Sequence, residues 1–384
     1  VRITIVAGFF LPIPAVRGGA MEKTWLRLAH EFARAGHEVT IISRRWPRWP
    51  DVETIKGVKH LRLSGADHSR SLALNLILDF IWGVQACLAL PPGDIVITNT
   101  VALPVWLRPA KPKSGRVVAV IARMPKGQTR LYGHVDLLLS LSAAVTARIK
   151  AENPRLADRI RPFPLPIDWS LHAAATARST PLVIGYIGRL NPEKGIGLLL
   201  AAASQLVARS DLPPWRLRLV GPVSVPSGGG GEAWFDALRA SLALSVADSL
   251  EVIPPEYDPA RLARRYGEID IFCYPSLAEH GETFGVAVAE AMAAGCAPVV
   301  SKLACFDELV LNGETGLIFD HTTSGAEVNL ASALARLLLD APLRRRLATQ
   351  AQSYARRLDT PLVAQQLLTT LSELNAANPT ATPS

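Results

Sequence analysis

Short apolar runs alternate with amphipathic stretches along most of this chain. Ile3 to Ala7 is apolar and bounded by Gly8, as in a buried strand. Apolar positions at helical spacing follow from Glu22 to Ala35, closed by Gly36, and Val39 to Ser43 reads as a second strand. The runs Ile95-Val96-Ile97, Val117 to Ile121 and Leu137-Leu138-Leu139 repeat the strand pattern, with helical stretches between them. Such alternation predicts a parallel sheet with helices on both faces. Around Pro162-Phe163-Pro164-Leu165-Pro166 prolines interrupt it, as at a hinge or linker. A second alternating unit begins at Leu182 to Ile187, with further strands expected at Arg216 to Val220, Leu250 to Ile253, Ile269 to Tyr274 and Ala297 to Val300. The fold class is therefore α/β, two doubly wound Rossmann-like domains facing a cleft, over 1–168 and 169–350. Thr360 to Leu374 is helical in pattern, within a terminal helical segment assigned to 351–375. The Pro/Thr/Ala-rich residues 376–384 are expected to fray.

Leu72 to Leu90 is almost continuously apolar and near spanning length. Asn75, Asp79 and Gln85 interrupt it, Gly83 sits inside it, and Pro91-Pro92-Gly93 ends it. An ionisable group inside a span is costly, so a buried or half-buried domain helix is expected rather than a span. With 384 residues and 49% hydrophobic composition, the chain can bury two cores of ordinary size. Cys87, Cys273, Cys296 and Cys305 have no metal-ligand or redox spacing, which favours free thiols in a reducing cytoplasm. The first apolar run is too short for a signal peptide. A formal charge of +8 suits anionic ligands or an anionic surface. Arg44-Arg45-Trp46-Pro47-Arg48-Trp49 mixes cations and indoles as at a lipid headgroup boundary, the plainer reading being a solvated loop with stacked Trp and Arg. No nucleic-acid motif accompanies it. Ser227-Gly228-Gly229-Gly230-Gly231 lacks the Lys-Ser/Thr ending of a nucleotide P-loop and reads as a flexible surface loop.

Candidate chemistry is concentrated in three places. Glu282-Thr283-Phe284-Gly285 runs on to Glu290-Ala291-Met292-Ala293-Ala294-Gly295, a carboxylate at a Gly-containing turn and a second one eight positions later on a small apolar helix. Eight helical residues rise about 12 Å, roughly the span from the hexose to the ribose of a nucleotide-sugar. A surface turn entering an amphipathic helix is the plain alternative. Upstream, Gly188-Arg189-Leu190-Asn191-Pro192-Glu193-Lys194-Gly195 follows a buried strand. Arg189 offers a planar fork and Lys194 a point charge to phosphate oxygens, where single surface cations would only be solvated. Near the start, Gly18 and Gly19 in Arg17-Gly18-Gly19-Ala20-Met21-Glu22-Lys23 allow backbone amides to approach phosphates.

Together these segments resemble the E-x7-E element, the G-R-L-x-x-x-K-G clamp and the glycine-rich donor loop of retaining GT-B glycosyltransferases of family 4. Ala297-Pro298-Val299-Val300-Ser301, Phe306-Asp307-Glu308-Leu309-Val310 and Asn312-Gly313-Glu314-Thr315-Gly316-Leu317 continue the resemblance in the family's order. It implies that Arg189 and Lys194 neutralise a leaving diphosphate and that Glu282 lies near the transferred sugar. Glu290 would hold the ribose hydroxyls, and the Phe284-Gly285 backbone would meet sugar or phosphate. It also implies that the C-terminal helix returns to the first domain. Glu282 as a covalent nucleophile, in the manner of retaining glycosidases, stays open beside a same-face displacement. His280 is a further sugar-contact candidate, against the plain reading of an incidental loop residue.

One departure concerns the acceptor. Many members carry a His just after the strand equivalent to Val117–Ile121, and here that place reads Ala122-Arg123-Met124-Pro125-Lys126-Gly127-Gln128. Arg123 cannot act as a base. Arg123, Lys126 and Arg130 instead suggest an acceptor bearing phosphate or carboxylate, such as a polyprenyl-diphosphate glycan precursor.

The expectation is a retaining hexosyltransferase moving sugar from a nucleotide-sugar to a glycan, lipid-linked or other acceptor, in cell-surface polysaccharide or glycolipid synthesis. It would be cytoplasmic, with an anionic inner membrane face as a further contact, and would use no cofactor and no metal, since no Asp-x-Asp motif is present. The alternatives are a GT-B epimerase or phosphorylase, and a non-catalytic nucleotide-sugar-binding subunit.

Overall fold

The structure is a computed structural model that describes residues 1–376 apart from 70, 176, 179 and 243. The tail expected beyond Ala376 lies outside the described residues. The chain divides into two compact units, 1–166 together with the chain from Thr360, and 167–359. Residues 351–359, grouped above with the terminal helix, belong to the second unit, and the helix that joins the first unit starts at Thr360.

The first unit holds eight strands: β1 (Arg2–Val6), β2 (Glu38–Arg44), β3 (Val52–Ile55), β4 (Val58–Leu63), β5 (Ile95–Thr98), β6 (Arg116–Ile121), β7 (Leu137–Ser140) and β8 (Ile160–Pro162). Their spatial order is β3-β4-β2-β1-β5-β6-β7-β8, parallel except for the β3/β4 hairpin. The winding direction reverses between β1 and β5. Helix α1 (Ala20–Arg34) buries Trp25, Leu28 and Phe32 at helical spacing and packs against the Thr360–Ala376 helix, which buries Val363, Leu367 and Leu371.

Helix α2 (Leu72–Ala89) inverts the usual polarity of a domain helix. Ser71 caps it, its hydroxyl oxygen accepting from the Leu74 N–H at 3.3 Å. Its buried stripe is Asp79, Trp82, Gly83 and Ala86, spaced i, i+3, i+4, i+7. Trp82 donates to the Ala7 carbonyl (2.8 Å), and the Asp79 carboxylate accepts from the N–H groups of Val101 (3.1 Å) and Ala102 (2.7 Å). Burial pushes the Asp79 carboxyl above its ordinary pKa, while those two backbone bonds pull it back. Outward positions remain apolar: Ile77 is 56% and Leu88 81% exposed. The expected half-buried helix is thus buried along a narrow stripe only.

The second unit has six parallel strands, β9 (Leu182–Ile187), β10 (Trp215–Val220), β11 (Leu250–Ile253), β12 (Ile271–Tyr274), β13 (Ala297–Ser301) and β14 (Leu317–Phe319). The order β11-β10-β9-β12-β13-β14 places the reversal between β9 and β12. In a doubly wound sheet, ligands sit beyond the strand ends at that reversal. The four cysteines are free thiols, and burial pushes Cys296 and Cys305 up to about 12, which keeps them protonated and inert.

Candidate active site

The loops leaving β9 and β12 flank the reversal of the second sheet and are fastened to each other. After β9, the Asn191 side chain accepts from the Lys194 N–H at 3.1 Å and caps the short turn Pro192–Lys194. Gly195 follows at φ +69°, and a Cβ there would overlap the Pro275 carbonyl oxygen, so the two loops can touch only at a glycine. The Leu277 N–H donates to the Glu193 carbonyl at 2.8 Å.

This contact brings two distant charges together. Lys194 and Glu282 are 5% and 8% exposed and form an ion pair. The same Glu282 oxygen accepts from the hydroxyls of Tyr274 (3.0 Å) and Ser276 (3.2 Å). The Lys194 ammonium lies 5.7 Å from the Tyr274 ring centroid, and Tyr274 stacks on Tyr186 at 5.5 Å. The Tyr186 hydroxyl in turn donates to the Arg189 carbonyl at 2.9 Å. Burial, then the Glu282 charge, holds Tyr274 well above the usual phenol range, so it is a neutral donor at any working pH. A buried ion pair costs several kcal/mol per ion in desolvation and is weak evidence for stability. An ammonium has three N–H donors, so one bond to Glu282 does not exhaust Lys194.

Arg189 is half-exposed and meets Glu193 at 3.2 Å. It also lies against the glycine run, since a Cβ on Gly228 would come within 2.7 Å of its Cδ. Gly230 N–H donates to the Leu190 carbonyl (2.8 Å) and Asn191 Nδ2 to the Gly228 carbonyl (3.1 Å). Ser227 to Gly231 is therefore not the free surface loop expected. It is hydrogen-bonded over the Arg189 segment.

Gly285, at φ +94°, begins the Val286–Ala293 helix and lies so close to Phe306 that a Cβ would approach its ring to 2.6 Å. Phe284 is buried beside it, while His280 is exposed in the preceding turn. Glu290 sits inside the helix, 6% exposed, and accepts from the Tyr266 hydroxyl at 3.1 Å. Glu282 precedes the helix, so the eight-residue step between the carboxylates is not a helical rise of 12 Å. Only Val286 to Glu290 is helical, about 6 Å.

In the first unit, Gly18 and Gly19 adopt φ +80° and +108° just before α1, and Gly19 is its N-cap without a side-chain partner. A Cβ on Gly19 would overlap the carboxyl of Glu22, which is buried in the first turn. Burial raises Glu22 from 4.5 to about 7, with its own backbone N–H and then the Arg123 charge opposing. Arg123, Lys126 and Arg130 are exposed after β6, and among the described residues none forms an ion pair. Glu152 shapes their segment, accepting from Gly127 N–H (2.7 Å), the Thr129 hydroxyl (2.5 Å) and Arg148 (3.1 Å). The Arg44–Trp49 loop differs from the lipid-facing reading. Arg45 holds Asp51 through two bonds (2.5 and 2.7 Å), and Arg44 bonds the Phe10 and Ala66 carbonyls and Asp67. Trp46 lies under Arg17 and Arg44, and Trp49 under Arg62. Most of its cations are spent internally.

Residues 168–354 match the family model of glycosyl transferases group 1. The match lies within the second unit and covers just under half of the chain. Over 190 residues it is 35% identical to the D-inositol 3-phosphate glycosyltransferase of Stackebrandtia nassauensis, covering 49% of this chain and 40% of that protein. The chain thus spans about two-fifths of the length of the relatives matched in this way. The phosphatidyl-myo-inositol mannosyltransferase of Mycolicibacterium smegmatis is 25% identical over an alignment of 412 residues, 98% of this chain and 95% of that one. Among solved structures, sucrose-phosphate synthase from Thermosynechococcus elongatus has a TM-score of 0.76 at 20% identity, covering 98% of this chain and 100% of the other. Anabaena Alr3699/HepE in complex with UDP and glucose has a TM-score of 0.72 at 17% identity, covering 97% and 99%. The fold is GT-B, two Rossmann-like α/β units.

Within the matched residues, three hydroxyl donors were missed in the sequence: Tyr274 and Ser276 on Glu282, and Tyr266 on Glu290. The signal for Tyr274 was present, a hydroxyl closing an otherwise apolar buried strand at the edge where ligands bind.

Proposed function

We propose that this chain is a retaining hexosyltransferase that uses a nucleotide-sugar donor and an acceptor bearing phosphate or carboxylate, a glycan or lipid-linked glycan at the cytoplasmic face of a membrane. Cell-surface polysaccharide or glycolipid synthesis is the process it would serve. The observation that carries this reading is the buried Lys194–Glu282 pair at the reversal of the second sheet, braced by Tyr274 and Ser276. A charged pair kept nearly dry where the fold presents ligands is best accounted for by chemistry done there.

In this reading the acceptor hydroxyl oxygen bonds to the anomeric carbon on the face from which the diphosphate departs. The bond from that carbon to the diphosphate oxygen breaks, and its electron pair stays with the phosphate. The acceptor proton passes to the departing oxygen, and nucleoside diphosphate is released. Arg189 and the remaining Lys194 donors stabilise the growing charge without a metal. Glu282 orients Lys194 and faces the sugar, and Glu290 takes the ribose hydroxyls. The named relatives act, by their names, on D-inositol 3-phosphate and phosphatidyl-myo-inositol, both phosphate-bearing, which agrees with three cations, Arg123, Lys126 and Arg130, that form no ion pair among the described residues.

A panel of nucleotide-sugars read by thermal shift tests the donor, because a ligand bound only by the folded state raises the melting temperature. One donor should stand out, and nucleoside diphosphate release with acceptor should continue in excess chelator. No shift with any donor, or turnover abolished by chelation, would sink the reading.

A further inference from the structure

We infer that α2 docks this protein on an anionic lipid bilayer, lying flat with its outward apolar face in the headgroup boundary. The helix spans 18 residues, about 27 Å long. Leu72, Leu76, Ile77, Phe80, Ile81 and Leu88 are each at least 46% exposed on it, and its one acidic or basic residue, Asp79, is buried. Isolated exposed leucines are ordinary on a protein surface, but a whole helix of them marks a contact. The Tyr132 hydroxyl donates to the Val101 carbonyl at 2.9 Å and ties in the turn carrying Arg130 and Leu131, and Leu131 is 62% exposed. An exposed cation and an exposed apolar side chain therefore lie on a turn bonded to the same Val101 that Asp79 holds.

Charge selects the occupant. Residues 1–166 and 360–384 contain 24 Lys and Arg against 12 Asp and Glu, a formal +12. Residues 167–359 contain 17 against 21, a formal −4, so the unit carrying the apolar helix holds all the excess of the chain's +8. Two copies meeting on α2 would bring two +12 bodies together, whereas an anionic bilayer attracts them. Each cation near such a surface favours binding roughly fivefold. A spanning helix is a poorer account. It would strip Asp79 from the Val101 and Ala102 N–H groups and Trp82 from the Ala7 carbonyl, and carry a carboxyl into hydrocarbon. A flat helix keeps all three bonds.

Docking can be tested apart from the transferase chemistry, since none of the residues substituted below belongs to the proposed donor or acceptor site. The full chain would be floated with phosphatidylcholine vesicles and with equal parts phosphatidylcholine and phosphatidylglycerol, without donor or acceptor, at low and raised salt. It should float with the anionic vesicles, more than with the neutral ones, and less as salt rises. Leu72→Asp with Ile77→Asp should reduce partitioning at least about tenfold while changing the melting temperature little, because both positions are more than half exposed. Leu88→Asp tests the other end of the helix and should weaken binding in the same direction. Wild-type partitioning in both variants, or equal binding to neutral and anionic vesicles, would overturn docking as stated. So would a wild-type chain that ignores vesicles but forms a concentration-dependent dimer lost in Leu72→Asp with Ile77→Asp, which would assign the face to a second copy.

Discussion

Replacing Lys194 with Met separates charge from packing at the proposed site. Lys194 is nearly fully buried against Glu282 and the Tyr274 ring, so the substitution keeps the stem and removes only the ammonium. Glu282 would be left dry with two hydroxyl donors and no cation, and breaking a buried pair in this way typically costs about 3–5 kcal/mol. For a unit of this size that corresponds to a fall of roughly 10 °C in melting temperature. Loss of a preorganised donor at a developing anion costs a further factor of roughly 100 or more in rate. The two effects can be pulled apart. In Lys194→Met with Glu282→Gln no charge remains buried, and stability should return to within about 1–2 kcal/mol of wild type. Turnover should stay low. Calorimetry and nucleoside diphosphate release on the three proteins measure both quantities. A double variant that regains near wild-type turnover would show that Lys194 served stability alone, and a single variant with an unchanged melting temperature would refute the buried pair itself.

Two other perturbations follow from buried carboxyls. Glu22 is raised from 4.5 to about 7 by burial, so below about pH 4.5 it is protonated in both folded and unfolded chains and costs nothing. As pH rises towards 7 only the unfolded chain ionises, stability falls, and above 7 the loss is complete at about 3 kcal/mol. Glu22→Gln should therefore gain stability relative to wild type at about pH 8 and not at about pH 4, and parallel melting curves across that window would contradict it. Tyr266→Phe removes the hydroxyl donor on Glu290 and should weaken donor affinity several-fold, with Glu290→Ala weakening it further; isothermal titration giving unchanged affinity in both would remove Glu290 from the donor site.

The strands and the candidate charges were legible because they are written locally. Ile3 to Val6, Val117 to Ile121 and Val183 to Ile187 are almost wholly apolar and wholly buried, as strands of a parallel sheet covered on both faces are. The β3/β4 hairpin was passed over because Val52–Ile55 is an edge strand with no buried residue, although Lys56-Gly57, both at positive φ, marks its turn. Lys194 and Glu282 were each singled out, but their pairing was not, since 88 residues separate them and only the reversal of strand order brings their loops together. Arg45 looked available for lipid because composition does not report that Asp51, six residues on, already holds it. The Leu72–Leu90 run misled for a different reason. Polarity normally points outward, yet here Asp79 and Gly83 form the buried stripe and the leucines face away, so the pattern gave the helix but not its face.

That inversion, with the division of charge, accounts for how an anionic donor fits an acidic unit. The second unit carries a formal −4, so its overall field does not favour a nucleotide diphosphate. On the proposed reading attraction must be local, and it would come from Lys194, held at the sheet reversal, and Arg189, under the glycine run. Short-range attraction of this kind is weakly screened, while the +12 of the first unit acts through solvent over a Debye length of about 8–10 Å and is screened strongly. Donor binding should therefore change little with salt and surface binding a great deal. Sensitivity to ionic strength would then separate the two sites of one chain without a single substitution.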